Sequence, residues 1–132
     1  MFLTKECDYG IRIIRALAGE EKKTVETISA LEHIPNQYAY KILKKLEHAG
    51  FVRSIRGRDG GYQLAKPLSD ITLYDIASAM NEKLFLFECL RKDNACSRNS
   101  PEQPCAVHVE FRRIQELLTL EMRRKTIEGL VS

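Results

Sequence analysis

Residues 35–67, PNQYAYKILKKLEHAGFVRSIRGRDGGYQLAKP, carry two patterns back to back. In the first half Ala39, Ile42, Leu43, Leu46 and Ala49 recur at the spacing of one buried helical stripe, and Gly50 ends it. In the second half two strand-like runs, FVRSI (51–55) and YQLA (62–65), flank a turn whose Gly57, Gly60 and Gly61 can take positive φ without steric cost. A helix followed at once by a tight hairpin predicts a mainly α fold with a small β-hairpin.

Working outward, VETISALEHI (25–34) reads as a shorter helix with Ile28 and Leu31 on its inner face. Two short helices joined by a tight turn predict a helix-turn-helix, and the hairpin behind it makes the unit a winged helix. The outer face of the second helix carries Gln37, Tyr40, Lys41, Lys44 and His48, with Asn36 and Tyr38 at its start. These are side chains able to reach base edges and phosphates. Arg53, Arg56 and Arg58 lie on or beside the wing tip, where arginine can follow phosphates or enter a narrow minor groove.

The net charge is only +3, but between Asn36 and Lys66 the basic Lys41, Lys44, Lys45, Arg53, Arg56, Arg58 and Lys66 face only Glu47 and Asp59. An isolated basic hairpin is usually a solvated surface. Adjoining a basic helix at winged-helix spacing, it predicts a surface for double-stranded DNA.

On the N-terminal side, TKECDYGIRIIRALAGE is a helix with Thr4 as N-cap and Gly19 as stop, and Cys7, Gly10, Ile14 and Leu17 share a stripe that makes Cys7 a core residue. After Pro67, DITLYDIASAMNE is a further helix. Thr72 and Asp75 form its capping box, and Leu73, Ile76, Ala77 and Met80 form its stripe. KLFLF (83–87) is a short apolar run. From about Pro104 a long helix places Val107, Phe111, Ile114, Leu118 and Met122 in register. Such a stripe needs an apolar cover, and a helix-turn-helix protein reading a pseudo-palindromic operator as a two-fold homodimer would supply it. The tail TIEGLV is short and apolar enough to pack back onto that helix. The expected organisation is a DNA-binding domain over 1–83, a cysteine-containing loop over 84–103, and a C-terminal dimerisation helix with its tail over 104–132.

The 132 residues suit one main core, and 44% hydrophobic with 30% charged residues is the balance of a soluble protein. No apolar run approaches the roughly 20 residues of a membrane helix, and charges from Lys5 onward interrupt any secretory signal. A cytoplasmic protein with no membrane partner is expected. No Gly-rich nucleotide loop and no Ser/His/Asp or Cys/His arrangement stands out, so the chain does not read as an enzyme.

Three of the four cysteines lie in ECLRKDNACSRNSPEQPCAVHVEF (88–111). Six residues separate Cys89 from Cys96, eight separate Cys96 from Cys105, and two separate Cys105 from His108. Disulfides are disfavoured in a reducing compartment, and RKDNACSRNSPEQP offers few apolar neighbours for a buried thiol. The close Cys pairs of most structural zinc sites are absent, although ligand softness admits both an iron–sulfur cluster and zinc.

LTKECDYGIRIIRAL (3–17), YKILKKLEHAGFVRSIRGRDGGYQLAKP (40–67), ITLYDIASAM (71–80) and ECL (88–90) together resemble the Rrf-type winged-helix transcriptional regulators, most specifically over residues 46–64. The resemblance covers essentially the whole chain. It implies a homodimeric bacterial repressor or activator whose three loop cysteines, here Cys89, Cys96 and Cys105, hold a 2Fe–2S or 4Fe–4S cluster. The signal it implies is nitric oxide, redox or iron–sulfur status. CymR-like members lack this trio, and both intervening loops here are longer than is usual in the family. His108 matches the fourth ligand of IscR-like members. Asp8 matches the aspartate that reaches across from the other subunit in NsrR-like members, and TKECDYGIR favours Asp8. The alternative is the same fold with a structural zinc or a thiol-redox site.

Overall fold

The computed structural model describes residues 3–81, 84–91 and 96–131. The expected boundary residue Lys83, at the head of the KLFLF run, lies outside the described residues, as do residue 82 and residues 92–95 of the expected loop. The chain runs α1 (Lys5–Ala16), α2 (Val25–Glu32), α3 (Asn36–His48), β1 (Val52–Ile55), β2 (Gly61–Leu64), α4 (Leu73–Met80), α5 (Ala106–Arg124) and α6 (Glu128–Val131).

Helix starts follow local chemistry. The Thr4 and Thr24 hydroxyls accept from the backbone N–H of Cys7 at 3.4 Å and of Thr27 at 3.2 Å. Thr72 and Asp75 close the predicted box, Asp75 N–H donating to Thr72 Oγ1 at 3.2 Å and Thr72 N–H to Asp75 Oδ2 at 2.9 Å. α3 ends in a Schellman arrangement: Phe51 N–H reaches Leu46 O and Gly50 N–H reaches Glu47 O, both at 3.0 Å, with Gly50 at φ +85°.

The core gathers the stripes of α1 to α4 together with Phe51, Val52 and Tyr62. Ile13, Ile14, Leu17, Ile28, Ile42, Leu43, Leu46, Ile71, Ile76 and Ile127 are fully buried. One inner-face position differs from expectation, because Leu31 is 55% exposed while Glu32 is buried. The cause is tertiary. Arg15 of α1 grips the Glu32 carboxylate with Nε at 3.0 Å and Nη2 at 2.5 Å, which turns Ile28, Ser29 and Glu32 inward and leaves Leu31 outside.

The hairpin is antiparallel, pairing Val52 with Leu64, Arg53 with Gln63, Ser54 with Tyr62 and Ile55 with Gly61. Tyr62 also exchanges backbone bonds with Lys23, at 2.8 and 2.7 Å, which ties the wing to the start of α2. Gly57 and Gly61 take positive φ, whereas Gly60 is needed for space, since a Cβ there would lie 2.4 Å from Ile55 O.

α5 is the longest helix among the described residues, and none of its side chains is buried. Phe111 stacks on Phe87 at 3.9 Å, Gln115 Oε1 accepts from Leu86 N–H at 2.7 Å, and Arg123 lies 4.1 Å over the Tyr74 ring. The predicted stripe therefore splits: Phe111, Leu118 and Met122 are half-buried, while Val107 and Ile114 stay exposed beside Leu117 and Leu120. The tail does not simply fold back on α5. Thr126 bridges Thr72, Ile127 N–H donates to Ile71 O at 2.7 Å, and the Ile127 side chain enters the winged-helix core. No described helix is long and apolar enough to cross a membrane.

Candidate nucleic-acid interface and cysteine loop

α3 turns its apolar stripe to the core and its polar face outward. Asn36, Gln37, Tyr38, Tyr40, Lys41 and Lys44 are exposed, as are Arg53, Arg56 and Arg58 on the hairpin. Tyr40, Lys44, Ser54, Arg56 and the wing glycines line one open groove between helix and hairpin, bounded on its far side by Thr24 and Glu26. Lys44 of the helix and Arg56 of the hairpin thus share one surface, whereas Arg53 and Lys66 line a separate groove with Glu20 and Gln63. Glu47 joins helix and hairpin: its Oε2 accepts from Ser54 N–H at 3.0 Å and its Oε1 lies 3.8 Å from Lys44 Nζ. The hydrogen bonds from Ser54, ahead of the Lys44 and Arg56 charges, hold its carboxyl below the usual carboxylate range.

The basic residues are not equally available. Arg53 donates from Nε and Nη2 to Gln63 Oε1 at 3.2 and 3.0 Å, stiffening the base of the wing. Lys44 sits 5.6 Å over the Tyr40 ring and Lys66 5.3 Å over Phe51. Lys41 meets Glu6 of α1 at 2.8 Å, and Lys45 meets the same carboxylate at 2.5 Å. Arg56 and Arg58, at the tip, form no ion pair among the described residues. Tyr38 packs edge-on against Tyr9 at 5.7 Å, so its ring is partly a structural contact. Sequence reading missed Glu6, which stands far from Lys41 along the chain and has no local signal pointing to it.

In the C-terminal half Cys89 lies in the 3-10 turn Glu88–Leu90, Cys96 opens the next described segment, and Cys105 is the N-cap residue of α5. All three are free and half-buried, unlike the buried Cys7. Asn99 links two of them, its N–H donating to Cys96 O at 3.1 Å and its Oδ1 accepting from Cys105 N–H at 2.9 Å. Sequence reading also passed over this residue, although an Asn before Ser-Pro is a turn signal. His108 sits in the first turn of α5 with a buried Nδ1 that has no hydrogen-bond partner. Such an orphaned nitrogen is costly unless something ligates it. Asp8 is exposed and paired with Arg12 at 3.2 Å. Among the described residues no three His, Cys, Asp or Glu side chains converge on a metal-holding group. The donors are of the right kind, but they are not gathered.

A family model described as Rrf2, iron-dependent transcriptional regulator, matches residues 3–132. The chain is 35% identical over 92 residues to the HTH-type transcriptional regulator NsrR of Geobacillus kaustophilus, spanning 67% of this chain and 63% of that one. Two curated relatives, Protein aau3 of Rhizobium meliloti and this NsrR, are covered over only 59% and 63% of their own length, whereas a putative HTH-type transcriptional regulator of Aquifex aeolicus is covered over 81%. Among solved structures, CymR, the global cysteine regulator of B. subtilis, superposes with a TM-score of 0.79 at 24% identity over 99% of this chain and 96% of that one. T. potens IscR does so at 0.73 and 21% over 99% and 86%. At these identities the two structures establish the winged-helix architecture with its long C-terminal helix.

Proposed function

Because the chain belongs to the Rrf2 family of transcriptional regulators, we propose that it is a cytoplasmic, homodimeric DNA-binding repressor whose hold on a pseudo-palindromic operator is set by an iron–sulfur cluster on Cys89, Cys96 and Cys105. The observation that carries the DNA part is the single exposed surface formed by α3 and the wing. Lys44 and Arg56, which line the shared groove, and the exposed Arg58 of the wing tip are assigned to phosphates, with Arg53 from the base of the wing, and Asn36, Gln37 and Tyr40 to base edges. Tyr38 and Lys41 stand at the edge of this face, each already engaged by α1. The exposed Val107, Ile114, Leu117 and Leu120 of α5 support the dimer, since a helix with no buried residue needs a second surface.

Three free, half-buried thiols and an unsatisfied imidazole in the first turn of α5 support the cluster, as does the iron dependence in the family description. A bound cluster would supply a redox- and nitric-oxide-sensitive centre, and the cysteines would hold it as thiolates. For the fourth ligand the orphaned Nδ1 favours His108 of the same chain. Asp8 would first have to leave Arg12, at a cost below about 1 kcal/mol for so exposed a pair.

A second reading, a zinc or thiol-redox site on the same cysteines, is supported by the three free thiols, whose softness admits zinc as well as a cluster. Anaerobic purification with a visible absorption spectrum and iron and sulfide analysis separates the readings. Charge-transfer bands with stoichiometric iron and sulfide are expected, and a colourless protein carrying zinc or nothing would end the cluster assignment. Loss of cluster colour in His108→Ala but not Asp8→Ala would fix the fourth ligand.

A further inference from the structure

One carboxylate from α1 reaches two lysines a turn apart on α3. Glu6 Oε1 lies 2.8 Å from Lys41 Nζ and Oε2 lies 2.5 Å from Lys45 Nζ. The two arms of this fork differ. Lys45 also donates to Met80 O at 3.2 Å and is half-buried, so its charge is used inside the fold to join α1, α3 and the end of α4. Lys41 is 57% exposed, beside Gln37, Tyr40 and Lys44 on the outward face of α3. A carboxylate at hydrogen-bond distance from an exposed lysine stands where a DNA phosphate oxygen would stand.

From this geometry we infer that Glu6 is an affinity-limiting residue of the DNA interface, an internal phosphate mimic that withholds Lys41 from the DNA backbone. The inference rests on reading α3 and the wing as the DNA surface. Hydrogen bonds from Lys41 first, then Lys45, lower the Glu6 carboxyl below its ordinary range, so it remains an anion at neutral pH. Sequence-independent affinity comes mainly from counterions released as lysines and arginines neutralise phosphates. A lysine already neutralised by its own protein releases none, so Glu6 suppresses non-specific binding and leaves a larger share of recognition to base contacts.

The test is a salt titration of binding to a random-sequence DNA duplex, with folding checked by circular dichroism. Glu6→Gln keeps the shape and removes the charge. It should tighten binding about two- to fivefold, the range of an exposed ion pair, and steepen the plot of log affinity against log salt by about 0.9 for each Lys41 released. Lys41→Gln alone should leave that slope unchanged, and in the Glu6→Gln background it should cancel the gain. Unchanged or weaker binding by Glu6→Gln overturns the inference. So does a gain that survives in the double variant, which would be a long-range charge effect, or a slope flattened by about 0.9 in Lys41→Gln alone, which would place Lys41 on phosphate already. Should Glu6→Gln fail to fold, the Lys41→Gln slope decides the matter. A parent protein that binds no duplex at all would instead remove the DNA reading beneath it.

Discussion

The N-terminal winged helix and the C-terminal helix are built to different rules. The first closes on itself: ten large side chains, from α1 to α4, from Leu17 and Ile71 beside them and from the tail, are fully buried, and the starts of α1, α2 and α4 are capped by threonine. α5, by contrast, buries none of its side chains and leaves Val107, Ile114, Leu117 and Leu120 in water, with three free thiols just before or at its start. A self-sufficient core and an uncovered apolar face in one chain fit the proposed dimer, which would cover the second. Ile127 complicates the division, because the chain returns after α5 to place one isoleucine in the first region's core.

The contrast is sharpest in stability. Leu43→Ala and Ile127→Ala should each cost about 2–5 kcal/mol in urea unfolding, because both side chains are fully buried. Leu117→Ala should change the unfolding of dilute protein by less than about 0.5 kcal/mol. An Ile127→Ala protein as stable as the parent would detach the tail from the core. Next in size, Leu117→Glu should raise the dissociation constant of the proposed dimer about 10- to 100-fold by placing a charge on the apolar face assigned to it. Sedimentation of the unaltered dimer would refute the use of this face. Removing one cap, Thr72→Ala, should lower stability by about 1 kcal/mol, and a loss below a few tenths would show that the bridge to Thr126 holds this start without the box.

The smallest effect is pH-dependent. Glu6 has its pKa lowered in the folded state by Lys41 and Lys45, so its contribution is present above the unfolded-state pKa and is lost as pH falls through the lowered folded-state value. The difference in melting temperature between parent and Glu6→Gln should therefore be constant near neutrality and shrink on acidification below the ordinary glutamate range. A difference independent of pH into strong acid would mean that the Glu6 charge is not what stabilises.

Much of the fold was legible because its signals are local. Ala39, Ile42, Leu43 and Leu46 repeat at helical spacing, Gly50 must take positive φ, and Thr72 with Asp75 makes a box within one turn. Leu31 was misread because two adjacent faces of α2 could serve as the inner one, and Arg15, seventeen residues upstream of Glu32, chose between them. In the candidate site the residue types were legible and their availability was not. Lys41 and Arg58 look alike in sequence, yet one meets Glu6 and the other stands at an open wing tip.

What the sequence determined by itself, then, is the order of helices and hairpin, the side chains of the basic face and the thiol and imidazole donors, since each depends on periodicity, turn chemistry or residue type within a few positions. Tertiary structure alone decided that Glu6 holds Lys41 and Lys45, that Ile127 belongs to the winged-helix core, and that Asn99 clasps Cys96 to Cys105. The first two join residues more than thirty positions apart, and the clasp depends on how a loop closes. In each case the energy comes from proximity that folding creates, and no local pattern encodes it.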